Sequence, residues 1–391
     1  MSTTIIVKDT LRQAVEAASN GKQTVLYTAK GQPSFVNIIP KKTIRQAFAG
    51  WTNDNVHPAF IINGVEQSYL YVGTYEGYVS NGELVSQPNR KRNLMGGVEA
   101  WTKAKAAGAK WHCMTAPEKA LLAALCITEG SVEPRGNSGG GASYYGYDQN
   151  DPTQKGRRDD GKEAIAANGN SGIYTGSGPV SFRHNQDFNG ISDLAGNYYG
   201  WLFGHRMISG EFQTYNDNDF AAVTAEDIAA IVMSTKYADN TGWQAFSSTT
   251  AAQITPTFTG TYAGGDYTPT TVDAIKLAAS LAVVDTTSYW WTSFGSIGLP
   301  AVSDLTTKVI DLPRFYAEAC GAVPLKALID TGKIRLGNTL GRPTNANKSF
   351  TFSVEGQTGI VGGSSQITPG NFLATNNPSL YSARPVYYSG S

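Results

Sequence analysis

Residues 131–200 lack the hydrophobic periodicity of either a helix or a strand, which sets a strong limit on the fold. Gly, Asn, Ser, Asp and Tyr dominate this stretch. Loops longer than about 12–15 residues are uncommon in compact domains, and those that occur usually carry function or bind structural ions. The chain must therefore fold into a scaffold that holds a long, ordered loop region in place.

Composition excludes several classes of protein. Only 16% of the 391 residues are charged, against about 25% in ordinary soluble domains, and 43 are glycine. These values argue against a coiled-coil rod, a charged disordered tail and a helical-bundle enzyme. Lys plus Arg is 31 and Asp plus Glu is 31, so the chain lacks the basic excess of a non-specific nucleic-acid binder. No apolar run reaches the 18–20 or so residues of a membrane span, and no secretory signal is visible.

The remaining sequence predicts few helices and several short strands. One helix is expected from Leu11, capped by Asp9 or Thr10 and ended by Gly21. Asn63-Gly64 predicts a hairpin turn. Thr115-Ala116-Pro117-Glu118 predicts a capped helix start. Further helices are predicted over 97–107, 115–130 and 224–237, and strands over 24–28, 34–39, 59–63, 67–75, 349–354 and 383–388. This mixture indicates an α+β protein.

A series of short motifs follows one order along the chain. The most specific is GISDLAGNYYGW at residues 190–201. The others are KGQPSFVNIIP at 30–40, HPAFIING at 57–64, YVGTYE at 71–76, KWHCMT at 110–115, EPRGN at 133–137, GEFQ at 210–213, GG at 362–363 and ARPV at 383–386. Together they resemble phage-encoded proteins with the C-type-lectin fold, relatives of the formylglycine-generating enzyme (sulfatase-modifying factor) superfamily. Residues 190–201 resemble that superfamily's D-L-x-G-N-V-W-E-W signature.

The resemblance implies a C-type-lectin-like, formylglycine-generating-enzyme-like fold with few helices, short strands and long ordered loops. It covers residues 30–391, with an insertion expected at about 235–345, where no motif matches. Residues 1–29 resemble the N-terminal piece of such proteins and are predicted to serve anchoring or trimer assembly. If one domain contains all the motifs, its opening strand at 34–39 and its closing strand at 383–388 should share a sheet.

The superfamily contains enzymes, but the sequence predicts no catalytic residue. The formylglycine-generating enzyme needs a cysteine pair near its C-terminus, whereas no cysteine follows Cys320 here. The sulfoxide-synthase branch uses a histidine cluster on iron, and the four histidines here show no helical ligand spacing: His57, His112, His184 and His205. No GxSxG, Walker or HExxH motif occurs. Cys126 lies in an apolar run and is expected to be a buried thiol.

A structural calcium ion is the one cofactor that the sequence suggests. Asp, Asn and backbone oxygens are abundant around Asp187, Asp193 and Asn197, and Ca²⁺ prefers such ligands. The alternative is that these groups hydrogen-bond within their own turns. Two carboxylate pairs, Asp159-Asp160 and Asp217/Asp219, are expected to be solvated loop charges or calcium ligands rather than a glycosidase pair.

In relatives of the major-tropism-determinant type, the C-terminal part of the fold forms an exposed ligand face. The corresponding segment here is residues 364–381, which we call the display segment. It is rich in Asn, Ser, Thr and Tyr, as adaptable recognition surfaces are. The predicted ligand-binding residues are Asn371, Thr375, Asn376, Asn377, Ser379 and Tyr381. The alternative is a solvent-exposed turn cluster. Trp290 could stack on a sugar ring or belong to the core.

The sequence therefore predicts a non-enzymatic bacteriophage virion protein with a lectin-like surface, carried on a tail tip or tail fibre, for adhesion to a host cell or glycan. Its expected partners are a host receptor or glycan, other virion proteins and further copies of itself in a homotrimer, without nucleic-acid binding or membrane insertion. It would be made in the host cytoplasm. One alternative is a capsid decoration or head-fibre protein with the same fold. Another is a polysaccharide-degrading enzyme.

Overall fold

The computed structural model describes residues 9–47, 54–91, 93–130, 136–137, 145–148, 151–194, 197, 199–208, 211–228, 242–246, 253–259, 268–274, 353–356, 366–368 and 381–390. Among these residues, the α-helices with described bounds are α1 Thr10–Ala18, α2 Ile44–Ala47, α3 Gly97–Ala106 and α4 Ala116–Gly130. The strands are β1 Gln23–Tyr27, β2 Pro33–Pro40, β3 Ile61–Ile62, β4 Val65–Glu66, β5 Tyr69–Gly73, β6 Gly77–Ser80, β7 Glu83–Ser86, β8 Trp111–Cys113, β9 Tyr199–Leu202, β10 His205–Ile208, β11 Glu211–Tyr215, β12 Trp243–Phe246, β13 Gln253–Ile254, β14 Phe258–Thr259, β15 Thr268–Pro269, β16 Ser353–Gly356, β17 Gln366–Thr368, β18 Tyr381–Ser382 and β19 Pro385–Tyr388. The protein is α+β, with few helices and short, mostly antiparallel sheets, as the sequence predicted.

The main sheet has five antiparallel strands in the order β1-β2-β5-β19-β8. Within it, Ile38 of β2 lies opposite Tyr71 of β5. Val386 of β19 lies opposite Val72 of β5 on one side and His112 of β8 on the other. The opening and closing strands therefore share one sheet, which confirms that expectation, and β5 separates them.

Local signals in the sequence predicted several elements correctly. The hairpin turn at Asn63-Gly64 is confirmed: both residues have positive φ, and Ile62 pairs with Val65. The strand predicted over 59–63 is shorter than expected, because Pro58–Phe60 forms a 3-10 turn. His57 caps that turn, and its Nδ1 accepts a hydrogen bond from the Ala59 N–H at 3.2 Å.

Other predicted elements fall partly outside the described residues. Of the helix predicted over 224–237, residues 225–228 are helical and 229–237 lie outside the described part. Of the strand predicted over 349–354, Ser353 and Val354 belong to β16, and 349–352 lie outside the described part. In the loop region predicted from 131, the described residues 151–194 form two 3-10 turns, Ala166–Asn168 and Val180–Phe182, joined by irregular backbone.

An aromatic cluster forms the centre of the core beside α3. Trp101 of α3 packs against Phe203, with ring centroids 4.7 Å apart, and edge-on against Phe220 at 5.1 Å. Tyr215 joins Phe220 to Trp243, with ring centroids 4.9 and 4.7 Å away. Aromatic pairs of this geometry add about 0.5–1.5 kcal/mol each beyond the burial of their apolar area. The cluster therefore fixes α3 against β11 and β12.

Strands from the predicted N-terminal segment and from the expected insertion both belong to sheets of the fold. β1, within the predicted N-terminal segment 1–29, is the edge strand of the main sheet, and α1 is tied to it by a hydrogen bond from Arg12 Nε to the Val25 carbonyl at 3.0 Å. The described fold thus begins before residue 30. Strand β12, inside the insertion expected at 235–345, pairs with β11, and its Trp243 is buried in the core.

Candidate functional site

The display segment is attached to a small sheet with the strand order β17-β16-β9-β18. β17, near the start of the segment, lies at one edge of this sheet. β18, at its end, lies at the other edge, where Tyr381 pairs in parallel with Tyr199. The segment therefore starts and finishes on opposite edges of one sheet. The structure gives Tyr381 a place in a strand, whereas six other predicted ligand-binding residues lie outside the described part: Trp290, Asn371, Thr375, Asn376, Asn377 and Ser379.

The chain directly after the display segment is buried and held on several sides. The Arg384 guanidinium donates hydrogen bonds to the Gly73 carbonyl at 2.8 Å, the Ser192 carbonyl at 2.7 Å and the Asp193 carbonyl at 3.1 Å. On the main chain, the Ala383 carbonyl accepts a hydrogen bond from the Gly77 N–H at 2.8 Å. Arg384, a residue of the closing motif, thus connects β5 and the loop region to the end of the display segment.

Asn197, from the most specific motif, connects three further parts of the chain. Its Nδ2 donates to Glu76 Oε2 at 2.8 Å. Its Oδ1 accepts hydrogen bonds from the Ile173 N–H at 2.9 Å and from Asn137 Nδ2 at 3.1 Å. All these polar groups are buried. The motifs at 71–76, 133–137 and 190–201 therefore meet in one hydrogen-bond network, which we call the motif network.

Asp193 adds a buried carboxyl group to the motif network. Its Oδ1 accepts a hydrogen bond from the Asn137 N–H at 3.3 Å, and its Oδ2 has no hydrogen-bond partner among the described residues. Burial and, to a smaller extent, the nearby Glu76 carboxylate raise the pKa of Asp193 to about 7, although Arg183 and Arg384 oppose the shift. Asp193 therefore changes its charge near neutral pH.

Of the three candidate calcium ligands, two belong to the motif network and the third bonds within its own turn. Asp187 is exposed and serves its own turn, accepting from the Phe188 N–H at 2.7 Å and from Asn189 Nδ2 at 3.0 Å. Asp193 and Asn197 belong to the motif network. Among the described residues, no group of three or more His, Cys, Asp or Glu side chains is placed to hold a metal ion. Calcium binding stays a prediction.

The second carboxylate pair supports the hairpin of β3 and β4. Asp219 Oδ1 accepts a hydrogen bond from the Asn63 N–H at 2.5 Å. Asn216 Nδ2 donates to Asp217 at 3.3 Å and to Asp219 at 3.5 Å. Burial, together with the Asp219 charge, raises the pKa of Asp217 to about 6. The pair is thus partly buried rather than fully solvated.

Histidine and cysteine side chains are used inside the fold. His112 Nε2 lies 2.7 Å from Glu118 Oε1, and both side chains are fully buried. His184 Nδ1 accepts a hydrogen bond from the Ile191 N–H at 2.8 Å. Burial lowers the pKa of His57 to about 3 and raises the pKa of the Cys113 thiol. His57 and Cys113 are therefore uncharged in the interior, whereas His112 and His184 have hydrogen-bonding partners there. Cys126 is buried as expected.

Sequence reasoning missed a basic groove in the loop region. Nine residues between Lys155 and Tyr174 line it, and the run Arg157-Arg158-Asp159-Asp160 could have signalled it. From the sequence, Asp159-Asp160 is expected to be a pair of solvated loop charges or calcium ligands. In the structure, Asp160 instead forms a bidentate ion pair with the buried Arg158, at 2.9 and 2.6 Å. The available signal was two arginines followed directly by two aspartates, a pattern that indicates local ion pairs.

Comparison with known proteins gives no assignment. No protein-family model matches the chain, and no curated protein matches it either. Within the described residues, no helix has the length and apolar character needed to cross a membrane.

Proposed function

We propose that this chain is a non-enzymatic bacteriophage virion protein with a C-type-lectin-like fold, whose display segment at residues 364–381 adheres to a host-cell receptor or glycan. It acts on a tail tip or tail fibre, in a homotrimer with residues 1–29 contributing to anchoring. The resemblance of the motifs supplies the class of protein. In the structure, residues of those motifs form hydrogen bonds with one another in the interior, and these contacts support the proposal.

One observation carries the proposal. Residues of four motifs far apart in the sequence, Glu76, Asn137, Asn197 and Arg384, belong to a buried hydrogen-bond system in the interior. Arg384 lies two residues after strand β18, where the display segment ends. A segment whose ends are attached to a fixed framework can change its exposed side chains at little cost to stability, because exposed substitutions usually shift it by less than about 0.5 kcal/mol. That is the property an adhesion surface needs.

The test is to replace Asn371, Asn376, Asn377 and Tyr381 together with alanine. We expect host adsorption to weaken while the melting temperature stays nearly unchanged. Tyr381→Ala alone should cause the largest single loss, on the order of 2 kcal/mol in binding, if it is an aromatic anchor. The matched control is Tyr69→Ala, a 43% exposed tyrosine of β5. Normal adsorption by the quadruple variant would contradict the proposal.

The capsid decoration or head-fibre alternative predicts a different location and phenotype. Antibody labelling of the virion in electron micrographs would place the protein on the tail or on the head. A decoration protein should stabilise the capsid against heat without affecting adsorption. The enzymatic alternative is tested by incubating the purified protein with host polysaccharide and measuring release of reducing ends, which we expect not to occur.

A further inference from the structure

The loop region forms a groove of about 390 Å³ at the protein surface. Its lining includes four cationic side chains, Lys155, Arg157, Arg158 and Lys162, and one carboxylate, Glu163. Asp159 and Asp160 lie in the same run, so residues 155–163 hold four cations and three carboxylates, a small positive excess in a chain with 31 basic and 31 acidic residues. The volume lies within the range of about 300–1,000 Å³ typical of small-molecule sites.

Two of the four cations are neutralised and hold the groove in shape. Arg158 is fully buried; it pairs with Asp160 and donates to the carbonyls of Gly169 at 2.6 Å and Asn168 at 3.1 Å. Lys155 Nζ lies 2.5 Å from the Glu163 carboxylate. Because the first pair is bidentate and its arginine buried, the backbone around the groove is well fixed.

Of the other two cations, Arg157 forms no ion pair with a carboxylate of the described residues, and Lys162 lies close enough to Asp160 for its charge to lower the pKa of that carboxyl. The Arg157 guanidinium carbon lies 4.0 Å from the centroid of the Tyr174 ring. The backbone of Arg157 is also fixed, because its N–H donates to Ser177 Oγ at 3.0 Å and its carbonyl accepts from the Tyr174 N–H at 2.8 Å. A guanidinium stacked on a ring keeps its edge N–H groups available for a bidentate oxyanion. Lys162 is exposed and adds a second positive charge.

We infer that this groove binds an acidic saccharide, through an oxyanion on a sugar ring contacted by Arg157 and Lys162. Tyr174 supplies an aromatic surface, and Glu163 and backbone carbonyls can accept hydrogen bonds from sugar hydroxyls. A continuous polyphosphate fits less well, because Glu163 lies in the lining and the whole chain has no net positive charge. The inference deepens the proposed adhesive function, on which it rests for a reason to bind glycans, and adds a site outside the display segment.

The experiment is a calorimetric titration of the full chain in solution, without host cells. Oligogalacturonate tests a carboxylate, a heparin tetrasaccharide tests a sulfate, a mannose phosphate tests a phosphate, and maltotetraose is the neutral control. We expect at least one acidic probe to bind at least about tenfold more tightly than maltotetraose, with affinity falling as salt is raised. Single-stranded DNA is included, and tighter binding of DNA than of every acidic sugar would overturn the inference.

The variant Arg157→Ala/Lys162→Ala should lose at least about tenfold in affinity for that probe. The control Lys41→Ala/Arg45→Ala removes the same charge from exposed ion pairs outside the groove and should bind normally. Equal losses in the two variants, or no binding of any acidic sugar by the native chain, would overturn the inference. If the double variant does not fold, Arg157→Lys keeps the charge without the planar stack and should still weaken binding.

Failure of this site and failure of the proposed function are distinguishable. If the groove binds no acidic sugar but the display-segment variant loses host adsorption, only the groove assignment fails. If the groove binds as expected but neither variant changes adsorption, the saccharide site stands and the adhesive function fails.

Discussion

Asp193 is a carboxyl group held in the interior between charges of both signs. Its neighbours are Glu76, which disfavours ionisation, and Arg183 and Arg384, which favour it. Burial is the largest influence, and the resulting pKa is about 7, compared with about 3.9 in an unfolded chain. Between these two values the folded protein holds a proton that the unfolded chain releases. The free energy of unfolding therefore falls as pH rises from about 4 to 7, and the loss is complete above pH 7.

Replacing Asp193 with asparagine should remove this pH dependence. We expect the native protein to lose on the order of 2 kcal/mol of unfolding free energy relative to Asp193→Asn between pH 5 and pH 8. Urea denaturation at the two pH values measures this difference. Asp151→Asn is the control, because hydrogen bonds from Thr153 and Gln154 lower the pKa of Asp151, so it stays ionised in both states over this range. A difference that does not change with pH would contradict the assignment.

At the scale of elements, the start of α4 depends on one buried carboxylate. Glu118 Oε2 accepts a hydrogen bond from the Thr115 N–H at 2.9 Å, which is half of the predicted capping box. Its Oε1 is shared by His112 Nε2 at 2.7 Å and Asn218 Nδ2 at 2.9 Å. The Thr115 hydroxyl, instead of completing the box, bonds to Asn218 Oδ1 at 2.7 Å. The cap thus joins α4 to β8 and to the residue before the 3-10 turn Asp219–Ala222.

Glu118→Gln should destabilise the protein by about 1.5–3 kcal/mol, because the amide nitrogen cannot accept a hydrogen bond and a buried donor loses its partner. The matched control is Glu99→Gln in the first turn of α3, where the side chain is 54% exposed and pairs with Lys103 at 3.5 Å. That change should cost no more than about 0.5 kcal/mol. Chemical denaturation of both variants measures the difference; equal effects would show that the buried cap adds nothing.

Elements with local signals could be predicted from the sequence, and contacts between distant residues could not. Asn63-Gly64 and the capped start of α4 are encoded within a few residues, so pattern and turn chemistry were sufficient. The 3-10 turn at Pro58–Phe60 was missed because a short apolar run does not distinguish a strand from a turn. Arg384 bonds to Ser192, which is 192 residues away in the sequence, and nothing local indicates that pairing. The groove has a local signal in the run Arg157-Arg158-Asp159-Asp160, but the stacking of Arg157 on Tyr174 joins residues distant in sequence and could not be predicted.

At the scale of the whole molecule, β19 holds the main sheet together. It lies between β5 and β8, so its removal would leave β1-β2-β5 and β8 unconnected by strand pairing. Removing residues 383–391 should therefore abolish the cooperative unfolding transition and the near-ultraviolet circular dichroism of the aromatic core. Removing Ser391 alone is the control and should leave both unchanged. A cooperative transition in the longer truncation would show that the other packing suffices.

The position of β19 also has a consequence for biosynthesis. A ribosome delivers residues 33–40 and 69–73 long before residues 385–388, so the main sheet cannot close until nearly all of the described chain has been translated. Pairings this distant in sequence also make closure slow, because a large loss of chain entropy precedes the contacts. A chain that ends ahead of β19 would lack the strand that joins β5 to β8, and we expect proteases to degrade it faster than the full chain.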